Sequence, residues 1–310
     1  MDIRQQVQHE ALRLGFDTIR VARWDAVLDQ QPRLLKWLGH GFAGDMAYLD
    51  RRPADRCNPR SLLPDCNSVI CLALGYYIPD EDWPRPGRAM VSRYAWGDDY
   101  HEVLKEKLKA LGDSISVLSP GHSWKPTVDT SPVLEKAFAA ASGLGWQGKH
   151  SLVINPELGS YFFIGLLLTS LKLEPDTALR DGCSGCKACL DVCPTGALVA
   201  PRVLAANKCV SYLTTECKEP PPPGTDLKGW LYGCDLCQQA CPYNEAPRPA
   251  NEPRFAARDG IRDLGARELL EMDEEQFAQR FSGTVIKRRK LWRMQEQARR
   301  MVEAGARVDG

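Results

Sequence analysis

The sequence predicts a mixed α/β (α+β) domain, then a small metal-organised module, then a short helical tail. Three observations predict it. Residues 1–175 alternate amphipathic helical stretches with short apolar runs suited to strands. Nine of the 12 cysteines fall between Asp176 and Pro249, with Pro220 to Pro223 as a rigid loop between cysteine groups. Beyond Pro253 the chain returns to charged, helix-compatible sequence that ends in a basic stretch. We therefore read three units, 1–175, 176–250 and 251–310. A chain of 310 residues is long for one domain, since domains cluster at roughly 100–200 residues.

In the first unit, Ile3 to Leu14 has helical spacing and stops at Gly15, and Thr18 to Ala22 reads as a strand. Val69 to Leu74 (VICLAL) is a short apolar run that suits a buried strand. Asp99 to Leu111 returns to helical spacing. Ser131 and Pro132 supply a cap and first turn for a helix running to Gly143, and Ser151 to Asn155 and Tyr161 to Leu168 are strand candidates. Helices alternating with apolar strands make a layered domain.

Composition excludes several classes. Hydrophobic content of 44% with 26% charged residues is ordinary globular composition. The longest apolar stretch, Tyr161 to Leu171, has 11 residues against the roughly 20 that a membrane-spanning helix needs. The N-terminus lacks the apolar run of a secretory signal, and Arg51-Arg52 lies too deep for a twin-arginine signal, so a cytoplasmic protein without a membrane partner is expected. Lys+Arg 40 balances Asp+Glu 40, so net charge points to no nucleic-acid partner, and any such surface must be local. In a reducing compartment clustered cysteines read as metal ligands.

Cys183, Cys186, Cys189 and Cys193 followed by Pro194 fit C-x2-C-x2-C-x3-C-P without a gap. In that run three thiolates wrap one iron–sulfur cube and the fourth, released by the proline turn, ligates a second cube. Cys234, Cys237 and Cys241 before Pro242 form a second half that lacks its leading cysteine. Cys209 and Cys217 both compete for that place. The crossed pattern puts Cys183, Cys186, Cys189 and Cys241 on one [4Fe–4S] cluster, and Cys193, Cys234, Cys237 and the missing ligand on the other. Paired zinc sites would not require a third cysteine at this spacing. Cys57, Cys66 and Cys71 lie far from the module and receive no role.

Other signals are weaker. Gly143, Gly145 and Gly148 satisfy G-x-G-x-x-G, but they follow a helix and precede a strand, the wrong order for dinucleotide binding. The same loop, with Trp146, Lys149 and His150 beside it, suits either a plain turn or close approach to a large flat ligand. Asp129 reads either as a carboxylate at a helix start or as a proton donor. Asp99-x-His101 is close to the D-x-H-x-x-G cobalamin motif, but position 104 is leucine, so no axial histidine is expected. The run Lys287, Arg288, Arg289, Lys290, Arg293, Arg299 and Arg300 is either a solvated face or a phosphate-binding one.

Taken together, SRYAWGDDYH (92–101), VDTSPVLEK (128–136), GLGWQGKHSL (143–152), CSGCKACLDVCPTGAL (183–198), KCVSYLT (208–214) and YGCDLCQQACPYN (232–244) resemble the epoxyqueuosine reductase family. The resemblance covers about residues 1–290. It implies a nitroreductase-like cobalamin-binding domain, a bacterial two-[4Fe–4S] ferredoxin-like module, and action on epoxyqueuosine at the wobble position of tRNA. It favours Cys209 over Cys217, because Cys209 falls in KCVSYLT. It implies a catalytic role for Asp129, and cobalamin contacts from Tyr94, Asp129, Lys149, His150 and Ser211. Removing the epoxide oxygen as water consumes two electrons and two protons. A positioned acid and a separate electron donor follow, and burial against the cofactor is expected to raise the pKa of Asp129. The short tail is a possible tRNA contact, and a monomer is expected. A reductive dehalogenase-like enzyme and a non-catalytic electron carrier are the alternative readings.

Overall fold

The computed structural model describes residues 2–83, 89–222 and 224–303; Pro223 of the proline loop and residues 304–310 of the tail lie outside these. Its central sheet has four strands, ordered Thr18–Arg23, Ser68–Gly75, Phe162–Thr169, Trp124–Thr127, and every neighbouring pair is antiparallel. Ser68–Gly75 is buried along its whole length because both faces of the sheet are covered. Its side chains alternate between two cores, as a strand's period of two requires. Ile70, Leu72 and Leu74 pack with residues of the helices Ile3–Arg13 and Tyr100–Leu118. Val69, Cys71 and Ala73 face the helix Glu135–Ala141 through Phe138 and Ala139.

Most expected elements of the first unit are present, with two informative differences. Trp124–Thr127 was not expected as a strand; it carries Pro126, which cannot donate to a ladder, and it sits at the sheet edge where that is tolerated. The helix expected from Ser131 begins only at Glu135. Residues before it turn back instead: the Val133 amide donates to the Ser131 carbonyl and the Leu134 amide to Arg56, 2.8 and 2.9 Å away. Asp129 is thus not a helix cap.

The expected boundaries at 176 and 251 mark changes in sequence texture, not separable bodies. Trp230–Tyr232 of the cysteine module pairs in parallel with Met90–Val91 of the first unit. Around this pair one core joins Trp83 and Trp96, Leu213 and Trp230, and Phe277, Phe281, Ile286 and Met294. The tail is therefore not a free arm. Its helix Leu291–Glu303 buries Leu291, Met294, Ala298 and Met301, residues spaced for one apolar face. Among the described residues no helix is long and apolar enough to cross a membrane.

Candidate functional site

The cysteines of the module fall into two groups in space. Burial pushes the Cys189 thiol up, and the sulfurs of Cys241, Cys183 and Cys186 around it push further. Cys241 likewise is raised by burial, with Cys183 and Cys186 as its sulfur neighbours. The second group is Cys193, Cys209, Cys234 and Cys237. After burial, the Cys234 thiol is raised by Asp235 and then by Cys209 and Cys193, while Cys237 is raised by Cys234 and Cys209 and least by Cys189 of the first group. These groups match the crossed pattern of the spacing, with Cys209 in the place that the spacing left open and the resemblance favoured. Cys217 belongs to neither: its neighbours are Asp45, Tyr212 and Arg289.

Local structure explains the second group. Cys209 ends a 3-10 turn and opens the helix Val210–Thr215. Gly233, at φ 73°, turns the chain out of Trp230–Tyr232 into Cys234, where a Cβ would collide with Ser92. Asp235, fully buried, accepts from the Arg93 amide at 2.9 Å and from the Ser92 hydroxyl. The turn between Cys234 and Cys237 is thereby fastened to the SRYAWG segment of the first unit.

All four cysteines of this group line one cavity of about 390 Å³. Further lining residues come from the first unit: Tyr94 and Tyr100, Asp129, Glu135 and Lys136, His150 to Val153, and the aromatic start of the strand Phe162–Thr169. Cys183, Cys186, Cys189 and Cys241 are not among the lining residues.

Asp129 sits in the wall with its backbone in the left-handed region, φ 50°. Its Oδ2 accepts from the Tyr100 hydroxyl at 3.0 Å and lies 3.2 Å from His101 Nε2. The Tyr100 ring is fixed between His101 and Phe163, with centroids 4.0 and 4.1 Å away. His101 Nδ1 lies 2.7 Å from Asp99 Oδ1, and Arg288 of the tail reaches both Asp99, at 3.0 Å, and His101 Nε2, at 3.3 Å. Nε2 therefore has two alternative partners. Protonated, it donates to Asp129; deprotonated, it accepts from Arg288.

The charges of this cluster correct one expectation. Burial does raise the Asp129 carboxyl, but the hydrogen bond and charge of His101, the Tyr100 hydroxyl and Lys136 outweigh it, and the group lies below its usual 3.8. Asp129 is a carboxylate here, not a stored acid. His101 moves oppositely: burial lowers it, yet hydrogen bonds to Asp129 and Asp99 leave it above 6.5. A proton shared by the pair is therefore favoured on His101 over Asp129. A second carboxyl behaves as Asp129 was expected to, for burial and the Asp129 charge push Glu135 up to about 8.

The other expected contacts divide. Tyr94, His150 and Ser211 line the cavity. His150 Nδ1 accepts from the Leu152 amide at 3.2 Å, which puts the ring proton on Nε2; that donor is buried without a partner. Burial, then Lys136, lowers His150 to about 4, so the ring is neutral. Lys149 is placed elsewhere, with its ammonium on the carbonyls of Ser184 and Cys186 at 2.6 and 2.7 Å, where it closes the loop of the first cysteine group. The basic run is also reduced. Arg289, 8% exposed, donates to Thr215 and Cys217, Arg293 donates to Cys217, and Arg300 to Pro221, so these guanidiniums bind carbonyls within the protein. Lys287, Arg288 and Lys290 remain exposed.

Sequence reasoning missed Tyr100, His101, Glu135 and Arg288 as members of the site. The first three stand inside quoted motifs, and Asp99-x-His101 was a usable signal once read as a carboxylate holding an imidazole rather than as a metal ligand. Arg288 is 187 residues from His101 and left no local signal.

The chain is similar to known proteins over nearly its whole length. The family model described as "Epoxyqueuosine reductase QueG, DUF1730" matches residues 56–130, and "4Fe-4S double cluster binding domain" matches 182–244. An epoxyqueuosine reductase of Cellulophaga algicola is 39% identical over 92% of this chain and 93% of its own, and one of Gloeobacter violaceus is 40% identical over 95% and 94%. The chain belongs to the epoxyqueuosine reductase family. A crystal structure of a family member with an epoxyqueuosine-modified tRNA-Tyr stem loop aligns with TM-score 0.89 at 31% identity, over 95% of this chain and 79% of that one. A Bacillus subtilis member, at TM-score 0.87 and 30% identity over 95% and 79%, is described with an aspartate catalytic loop swung out of its active site.

Proposed function

We propose that this chain reduces epoxyqueuosine to queuosine at the wobble position of tRNA, in the cavity that Cys193, Cys209, Cys234, Cys237 and Asp129 line together. The observation that carries this reading is that one cysteine set and the Asp129 network share a single cavity. On this reading the first unit is a nitroreductase-like cobalamin-binding domain; its sheet, covered by helices on both faces, supports that.

Cys183, Cys186, Cys189 and Cys241 would hold one [4Fe–4S] cluster, and Cys193, Cys209, Cys234 and Cys237 the other; held there, the clusters supply one-electron delivery. The cavity suits cobalamin in its mixed lining and in the unpartnered His150 Nε2–H, a donor that calls for an acceptor. Bound there, low-valent cobalamin supplies the nucleophilic metal centre for opening an epoxide. Neither histidine is free to ligate a metal: His150 Nε2 carries the proton, and both nitrogens of His101 are engaged.

The chain's own groups manage the protons. The epoxide gains two electrons and two protons and becomes an alkene and water. Asp129 faces the cavity, with a side chain 63% exposed, and has His101 behind it. A proton held on His101 Nε2 passes to Asp129 Oδ2 and from that carboxyl to the leaving oxygen, while Asp99 stabilises the imidazolium as the proton waits. Lys287 and Lys290 are exposed cations available to tRNA phosphates, while Arg288 is engaged by Asp99 and His101.

The test is turnover. An epoxyqueuosine-containing tRNA stem loop incubated anaerobically with the reconstituted protein, cobalamin and a low-potential reductant should be recovered lighter by one oxygen, as read by mass spectrometry. A stem loop that keeps its oxygen under these conditions overturns the reading.

A further inference from the structure

The loop bearing Asp129 is held by a side chain that the proton chemistry leaves unexplained. At φ 50° Asp129 occupies a region that residues with side chains rarely adopt, so its surroundings must keep it there. Tyr100 and His101 hold the carboxylate. The backbone is held by Glu135, the first residue of the helix Glu135–Ala141, whose Oε1 accepts the Asp129 amide at 2.6 Å. Glu135 also lines the cavity.

We propose that Glu135 is the latch that keeps the Asp129 loop in its reactive position, a positioning residue that acts through the Asp129 amide. This rests on Asp129 being the acid of the site. The state that such a latch opposes is the swung-out loop described for the Bacillus subtilis family member.

Charge decides in which form the latch works. Asp129 is ionised, and a second negative charge on Glu135 would repel it out of place. A neutral carboxyl still offers a carbonyl oxygen to the amide. The ionisable groups that face Glu135 are Asp129 from the loop, Tyr100 from the helix Tyr100–Leu118, Cys71 from the strand Ser68–Gly75 and Lys136 on its own helix. Lys136 favours the carboxylate but is outweighed by burial and Asp129, which push Glu135 up to about 8. Because the folded value lies above the ordinary 4.5, the neutral form persists through pH 7, and the latch is released as pH rises through about 8.

Two variants test this. Glu135→Gln keeps the acceptor oxygen and never ionises, so at pH 7 it should retain far more turnover than Glu135→Ala, and it should lack the fall in kcat that wild type shows through about pH 8. Glu135→Ala frees the loop and should lose about 10²-fold in kcat with KM little changed, the scale expected for a displaced group. Infrared spectra supply a readout without substrate. A carboxylic-acid carbonyl band should titrate away around pH 8 in the reconstituted wild type and be missing in Glu135→Gln. Absence of that band from wild type, a Gln variant as impaired as Ala, or an Ala variant with full activity would each overturn the latch. A wild type that shows the band yet leaves the stem loop unreduced counts against the functional reading instead.

Discussion

Replacing Asp129 by Asn leaves both clusters and cobalamin bound and lowers epoxyqueuosine turnover by roughly 10²–10⁴-fold, the usual range for loss of a positioned proton donor. Asn keeps the shape of the side chain, and its oxygen can still accept from Tyr100 and His101. It cannot carry the proton onward. The comparison belongs at saturating reductant, where slow electron delivery does not mask the chemical step. The helix Glu135–Ala141 begins six residues after Asp129, so the alternative of a capping carboxylate, which predicts a small stability loss and near-normal turnover, has no helix end to act on. Turnover within a few fold of wild type would remove Asp129 from the proton path and leave Tyr94, which also lines the cavity, as the next candidate.

The second large effect separates two cysteines eight positions apart. Wild-type protein reconstituted anaerobically should hold about eight irons; Cys209→Ala should retain about four and lose turnover, because the cube at the cavity wall lacks a ligand. Cys217→Ala should keep the full complement. The Cys217 backbone carbonyl, which receives Arg289 and Arg293, survives the substitution, and its sulfur has Asp45, Tyr212 and Arg289 for neighbours rather than other cluster cysteines. Iron analysis distinguishes the two directly. Loss of half the iron on Cys217→Ala, with Cys209→Ala unaffected, would reverse the assignment.

The run from Cys183 to Pro194 was the most legible part of this chain, because C-x2-C-x2-C-x3-C-P states a ligand geometry in local spacing alone, whereas spacing did not separate Cys209 from Cys217. The buried strands were legible for a related reason: Ser68–Gly75 and Phe162–Thr169 are continuous apolar runs because both of their faces are covered. Trp124–Thr127 was not legible, since a four-residue edge strand with a proline carries little pattern. The tail misled in another way. Its basic residues look like a solvated face in sequence, yet Arg289 is buried, and only the fold reveals the carbonyls of Thr215 and Cys217 that receive it. The ionisation of the site was also hidden. A motif places Asp129 and Glu135 six residues apart but does not say which of them touches His101, and that contact decides which carboxyl is ionised.

The most direct test of the account is an anaerobic absorption titration of cobalamin into the reconstituted protein, wild type against Ser211→Trp, whose indole would project into the cavity from the helix Val210–Thr215. The account predicts saturation at one equivalent for wild type, and loss of binding in the variant with its iron content unchanged. Equal binding by both proteins, or none by wild type, would contradict it.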